Sequence, residues 1–240
     1  MAETGHAKNV ANFQQLIVSC TGFGAAYNPT NAAISIVELE NKAQDADAAM
    51  DGVTTDLIPW KVAVNARQDG FDGIRRLTTR AINAFAAAGV PDSAVDDART
   101  FKRKIDGARA VAVEEVSDGE EEPNTNSVSQ QSYAQLVEHL DNFIAVLDAY
   151  PAYNPNENEL KPGQLQTYCN GLKTLNTNVT ATIIPLDNAR ISRDEVLYAD
   201  DTGLVDLAGL VKKYVKSVFG ADSPQYQQIS GLAFTRPRTH

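Results

Sequence analysis

The residues best suited to chemistry are three histidines and two cysteines: His6, His139, His240, Cys20 and Cys169. No two histidines lie at metal-ligand spacing, and the chain does not supply the two Glu-x-x-His motifs of carboxylate-bridged metal bundles. We expect His6 and His240 to lie at frayed ends. Neither cysteine has a histidine nearby in sequence, although a thiolate nucleophile needs an activating base. The sequence therefore predicts no catalytic residue, no metal site and no cofactor.

Basic side chains form the clearest candidate site. They cluster on two segments with helical periodicity, which carry Arg75, Arg76 and Arg80 in one case and Lys212, Lys213 and Lys216 in the other. The formal net charge is −10, and residues 110–160 hold eleven acidic and no basic side chains. These six residues could be a solvated face whose charges pair weakly, or a docking surface for an acidic partner such as another copy's acidic segment. Nucleic-acid binding is disfavoured, because the net negative charge repels phosphate.

A repeat decides the predicted architecture. Tyr27-Asn28-Pro29 recurs as Tyr153-Asn154-Pro155, and Ile58-Pro59 recurs as Ile184-Pro185, both 126 residues later. Two rare patterns that keep one spacing predict a tandem duplication. A later segment repeats with a spacing of 130, since Gly73 before its apolar stripe corresponds to Gly203.

Apolar residues in both copies follow steps of three and four, which indicate α-helices. We expect each copy to have a first helix ending at its Tyr-Asn-Pro turn, a long second helix, a third helix and a short fourth. The repeated proline, Pro59 or Pro185, should bend or end the second helix. The predicted fold is all-α, with two tandem up-and-down helical bundles related by internal duplication.

The predicted domains follow the repeat. Residues 1–112 form the first bundle, 113–130 a flexible acidic linker, and 131–240 the second bundle with an extended tail. The linker prediction depends on like charges without apolar periodicity between Glu114 and Ser129. We expect Leu232 and Phe234 to anchor the tail. Tyr27 and Tyr153 should each pack their ring and give their hydroxyl a backbone partner.

The composition favours a cytoplasmic protein. The first residues are neither basic nor apolar, so they do not resemble a secretory signal. Residues 9–37 lack charge but hold several Asn and Gln, which disfavours a membrane span. Cys20 and Cys169 do not correspond under the repeat, so we interpret them as small core residues rather than a disulfide.

Several short motifs of the second copy carry a family resemblance. They are Tyr153-Asn154-Pro155-Asn156-Glu157, Asn188-Ala189-Arg190, the run from Val211 to Gly220, and Ser223-Pro224-Gln225-Tyr226. In these segments the chain resembles a family of bacterial tandem helical-repeat proteins that has no assigned activity. The resemblance implies a bacterial protein and brings no site residue with it.

The function predicted from the sequence is a non-enzymatic intracellular scaffold or adaptor that binds proteins through helix faces. A protein partner or self-association is expected, without nucleic acid and without a membrane span. An enzyme stays an open alternative if the Tyr and Arg side chains converge in a cleft, and two further alternatives stay open beside it. One is a carrier that holds an apolar small molecule between kinked helices, and the other is a helical protein that interacts with membranes.

Overall fold

The structure is a computed structural model that describes residues 4–108 and 131–237. Within these ranges the regular elements are helices, and no β-strand occurs, which confirms the all-α prediction. The α-helices are α1 (Thr4–Gly22), α2 (Ile36–Asp72), α3 (Ile74–Ala87), α4 (Asp92–Asp106), α5 (Tyr133–Asp148), α6 (Pro162–Tyr198), α7 (Leu204–Phe219) and α8 (Pro224–Ser230).

The two longest helices, α2 and α6, correspond closely. Each has 37 residues, and their first and last residues are 126 positions apart. Pro59 and Pro185 lie inside them at the same position, and both prolines are exposed. Proline has no N–H to donate to the carbonyl oxygen four residues earlier. The helix nevertheless continues through each proline, because that carbonyl lies on the solvent side, where water can bind it.

Tyr27 and Tyr153 hold the turns that precede these helices. The buried hydroxyl of Tyr27 donates to the carbonyl oxygen of Ile34 at 2.7 Å, and that of Tyr153 donates to the carbonyl oxygen of Leu160 at 2.8 Å. Each acceptor closes the short 3-10 turn that leads into α2 or α6. The predicted role of both tyrosines is confirmed.

We expect Tyr27→Phe and Tyr153→Phe each to lower the free energy of unfolding by about 1–3 kcal/mol, because a buried carbonyl loses its partner. Urea denaturation measures this loss. Tyr214→Phe is the matched control, since its hydroxyl only accepts a hydrogen bond from an exposed backbone N–H. Equal losses in all three variants would contradict the assigned role of the two buried hydroxyls.

The described residues form two compact units. The terminal unit comprises residues 4–60 and 182–237, and the central unit comprises residues 61–108 and 131–181. The terminal unit therefore contains α1, the first part of α2, the last part of α6, α7 and α8. The central unit contains the rest of α2, α3, α4, α5 and the first part of α6.

Each unit has its own hydrophobic core. In the terminal unit, Phe13 and Leu16 of α1 are buried with Leu39 of α2 and with Val211 and Val215 of α7. The core of the central unit combines α3, α4 and α5 with the last part of α2 and the first part of α6. Its fully buried members include Phe85 of α3, Ile105 of α4, Leu140 and Phe143 of α5, and Leu165 of α6.

This division differs from the predicted domains, which assigned residues 1–112 to one bundle and 131–240 to another. Each unit instead combines the first helix of one half with the third and fourth helices of the other half. The length of α2 and α6 gives a physical reason, since 37 residues span about 55 Å at 1.5 Å per residue. One small core cannot cover that length. The predicted linker 113–130 lies outside the described residues.

The fourth helices are the other difference. Both were predicted to be short, and α8 is, with 7 residues, whereas α4 has 15. Ser223 caps α8 by accepting from the Tyr226 amide, with Pro224 in the first turn as the sequence indicated. The longer α4 has an apolar stripe that fits the central core, which includes Ala94, Val95, Ala98 and Ile105.

Candidate functional site

The arginines Arg75, Arg76 and Arg80 lie on the exposed side of α3, opposite its buried residues. Arg80 forms an ion pair with Glu159, with 2.7 Å between Nη2 and Oε1. The hydrogen bond from Arg80 is the main reason that the pKa of Glu159 is lowered. Arg75 donates from Nη2 to Oε1 of Gln131 at 3.3 Å. The side chain of Arg76 makes no hydrogen bond within the described ranges, so its guanidinium is available to a partner.

Arg75 also contacts the last turn of α4 and Gln131, which lie on either side of the undescribed stretch 109–130. Its Nε donates to the carbonyl oxygen of Ile105 at 3.5 Å, and Gln131 donates to the carbonyl oxygen of Lys104 at 2.7 Å. Gly107 ends α4 with φ of 75°, and a Cβ there would lie 2.9 Å from Cδ of Gln131. The end of α4 and Gln131 therefore lie together, next to an arginine of the predicted site.

The lysines of α7 differ from one another. Lys213 and Lys216 are exposed, and Nζ of Lys216 lies 5.8 Å from the ring centroid of Tyr226. Lys212 instead donates from Nζ to the carbonyl oxygens of Ser230, at 3.2 Å, and Leu232, at 2.5 Å. Burial lowers the pKa of Lys212. Its ammonium group already has partners inside the fold, whereas sequence reasoning treated all three lysines as solvated or partner-binding.

The six predicted residues do not form one cluster within a single unit. The arginines of α3 belong to the central unit, and the lysines of α7 belong to the terminal unit. Each unit thus presents its own basic helix face.

A second arrangement, which the sequence did not reveal, surrounds the C-terminal segment, which comprises residues 232–236. The side chain of Asn9 pairs with both main-chain groups of Thr235: Nδ2 donates to its carbonyl oxygen at 2.8 Å, and its N–H donates to Oδ1 at 3.0 Å. Asn12 donates from Nδ2 to the carbonyl oxygen of Ala233 at 2.7 Å. As predicted, Leu232 is buried and Phe234 packs partly against the core. The only sequence signal was a pair of asparagines near the apolar stripe of α1.

Arg236 fastens the end of this segment. Its Nη2 lies 2.7 Å from Oδ1 of Asp206, and its Nη1 lies 3.3 Å from Oδ1 of Asp200 and 2.9 Å from the carbonyl oxygen of Tyr198. The hydrogen bond from Arg236 is the main cause of the lowered pKa of Asp206. The other oxygen of Asp206 accepts from the backbone N–H of Asp201 at 2.9 Å.

His6 is buried rather than at a frayed end, since it is only 3% exposed. Its Nδ1 is 2.8 Å from the hydroxyl of Tyr198, which also accepts from Asn9 at 3.2 Å. The prediction of a frayed end was wrong because α1 begins at Thr4, so His6 occupies an inward position of the first turns. Oδ1 of Asp194 lies 4.0 Å from the same Nδ1. His240 lies outside the described residues.

Both thiols are free and buried, as the sequence suggested. Burial raises the pKa of Cys20 to about 12 and that of Cys169 to about 11. Because the thiolate is the reactive form, neither side chain is suited to nucleophilic chemistry at neutral pH. Their arrangement is that of small core residues.

His139 is also buried, and its pKa is lowered by burial and then by the charge of Lys104. Its Nε2 makes no hydrogen bond within the described part of the chain. In residues 4–108 and 131–237, no group of three or more His, Cys, Asp or Glu side chains is placed to hold a metal ion. His139 is therefore a neutral member of the central core.

Comparisons with known proteins assign no function to the residues described above. None of the described helices combines the length and the apolar character needed to cross a bilayer. The resemblance to bacterial helical-repeat proteins stays a prediction. No protein-family model, no curated protein and no solved structure matches the chain.

Proposed function

We propose that this protein is a non-enzymatic scaffold or adaptor that binds an acidic protein partner through the exposed basic faces of α3 and α7. One observation carries the proposal. Arg76 and Lys213 are exposed on helices whose opposite faces are fixed in a core, and neither side chain has an ion-pair partner within the described ranges.

The chemistry of these side chains favours a carboxylate-rich partner. A guanidinium group presents a planar set of donors that matches a carboxylate, and a lysine adds a mobile positive charge. Opposite potentials speed encounter and orient the two proteins, although each exposed pair adds little affinity. Neighbouring basic residues extend both faces, namely Arg75, Arg80 and Lys216. The raised pKa values of both thiols support a role in binding rather than covalent catalysis.

The test uses a double variant, Arg76→Glu with Lys213→Glu, and a control, Lys8→Glu with Lys61→Glu. All four side chains are exposed, and both variants change the net charge equally. Binding of a fluorescent poly-glutamate peptide is measured at about 50 mM and about 500 mM salt, because screening should remove an electrostatic contact. We expect the first variant to bind about fivefold more weakly at low salt and the control to resemble the wild type.

Equal losses in the two variants would show that only net charge matters, and the solvated-face interpretation would then replace the proposal. Thermal melts accompany the binding data, and neither variant should shift the midpoint appreciably, because exposed charges contribute weakly to stability. A pull-down from the native host with the same pair of variants then identifies the partner. An apolar molecule that co-purifies in native mass spectrometry would support the carrier alternative instead.

We also infer that residues 1–112 and 131–240 arose by duplication. Support comes from the equal lengths of α2 and α6, the equivalent prolines within them, and the matching hydroxyl contacts of Tyr27 and Tyr153. In this interpretation the copies are interleaved, so that each compact unit uses helices from both. Two binding faces, one on each third helix, would then be descendants of one ancestral surface.

A further inference from the structure

The C-terminal segment is held in the way that a binding site holds a foreign peptide. Four of its main-chain groups bond to side chains of α1 and α7, whereas the N–H of Leu232 bonds to the carbonyl oxygen of Ile229. The four are the carbonyl oxygens of Leu232, Ala233 and Thr235 and the N–H of Thr235. Main-chain contacts of this kind give affinity for any extended chain, as in peptide recognition by strand addition.

Side chains of the segment alternate between inward and outward positions. Leu232 is buried and Phe234 is half-buried, whereas Ala233 and Thr235 are exposed. Arg236 turns to the carboxylates of Asp200 and Asp206. This alternation is expected of an extended chain that is recognised at every second residue. The side chains that contact the folded body are therefore those of Leu232, Phe234 and Arg236.

The side chains that hold this segment belong to the folded helices and are themselves fixed in place. Asn9 is 1% exposed and is fixed by a further hydrogen bond to the hydroxyl of Tyr198. Nζ of Lys212 lies 5.4 Å from the ring centroid of Phe234, in addition to its two carbonyl contacts. Asp206 is held by the backbone N–H of Asp201. A site whose side chains are already oriented loses less entropy when a peptide binds.

We propose that α1, α7 and the turn between α6 and α7 form a peptide-binding groove for the pattern Leu-x-Phe-x-Arg. The chain's own residues 232–236 occupy this groove, and the same segment of a second copy can replace them. The groove is distinct from the exposed basic faces on which the proposed function rests. It offers a route by which two copies associate through exchanged tails.

The segment is suited to exchange because few of its contacts are deeply buried. Leu232 is its only buried side chain, and the ion pairs of Arg236 are partly exposed. Segments with few buried contacts open at a much lower free energy than the whole domain. An attached segment nevertheless competes strongly with a free peptide, because the covalent link gives it a high effective concentration.

The first experiment weakens the attached segment in the full chain with Phe234→Ser and Arg236→Ser. A fluorescent peptide with the sequence of residues 229–237 is then titrated, and circular dichroism checks the fold. We expect this variant to bind the peptide at least about tenfold more tightly than the wild type, whose groove is occupied. A peptide with the same two serine substitutions should bind about tenfold more weakly, because it lacks both anchors.

Further substitutions in that variant locate the site. Lys212→Met keeps the apolar stem and removes the donor to two carbonyl oxygens, so it should weaken peptide binding several-fold. Gln14→Ala is the matched control, since Gln14 is exposed on α1 and bonds only to Asp47. A folded variant that fails to bind the peptide, or that binds both peptides equally, would overturn the proposal.

A second experiment keeps the tail intact and covers the case in which the serine variant does not fold. Chains with Asn12→Cys are mixed with chains carrying Ala233→Cys, and a short bis-maleimide linker is added. Tail exchange predicts a cross-linked dimer, because each tail then lies on α1 of the other copy. Chains with Gln14→Cys, whose position faces away from the segment toward Asp47, serve as the control. Equal dimer yields in both mixtures, or no dimer at all, would count against exchange.

Discussion

Fragments 1–112 and 131–240, produced separately, are expected to lack a cooperative monomeric fold, and mixing them should restore a 1:1 complex. Each fragment alone would expose the apolar residues that it contributes to both cores. In the terminal unit, for example, Phe13 and Leu16 would lose Val211 and Val215. Burying one such side chain contributes about 1.5–3 kcal/mol. Losing several exceeds the total stability of an ordinary domain, about 5–15 kcal/mol.

Circular dichroism and light scattering check this expectation for each fragment and for the mixture. The matched sample is the intact chain cleaved between residues 112 and 131 after folding, which should stay assembled and keep its helix content. This outcome differs from what the predicted domains imply, since two independent bundles would each fold alone. Cooperative melting of either fragment as a monomer would contradict the assignment of helices to the two units.

Phe85→Ala should remove about 3–5 kcal/mol from the free energy of unfolding, which is typical of a buried phenylalanine cut to alanine. Phe85 is fully buried, and its ring meets the ring edges of Tyr150 and Tyr153 at centroid distances of 5.7 and 5.4 Å. Such aromatic pairs stabilise beyond the area that they bury. The substitution therefore removes packing between α3 and the turn that Tyr153 holds.

Urea denaturation with a constant m-value measures this loss. Phe85→Leu keeps most of the volume and should cost clearly less. Val218→Ala, in α7 of the terminal unit, is the control for an exposed helical position. Val218 is 45% exposed, so this substitution should change the free energy of unfolding by only a few tenths of a kcal/mol. A small effect of Phe85→Ala would mean that the central core tolerates a cavity where the structure shows close packing.

Local patterns predicted the elements well. Apolar steps of three and four indicated α2, α6 and the third helices, and the Tyr-Asn-Pro repeat indicated the turns that Tyr27 and Tyr153 hold. These features depend on residues close in sequence. The pairing of helices does not, because an apolar stripe packs equally well against the third helix of its own copy or of the other. Periodicity therefore could not predict the two units.

Only part of the candidate site could be predicted, for a similar reason. Charge and spacing identified the basic faces of α3 and α7, but they could not separate Lys212 from Lys213. That difference depends on a segment twenty residues further along, which brings the carbonyl oxygens of Ser230 and Leu232 to Lys212. The roles of His6 and Asn9 likewise depend on Tyr198 and Thr235, which are distant in sequence.

The exchange of helices between the two halves has a consequence for concentration. If the two halves arose by the duplication that we infer, a single-copy ancestor with this arrangement could complete its cores only with a second chain, so dilution would have unfolded it by mass action. Joining both copies in one polypeptide would then make the partner permanently local, and folding would no longer depend on how much protein the cell contains. It also removes the need for identical halves. One third helix could then keep arginines while the other gained lysines and a tail.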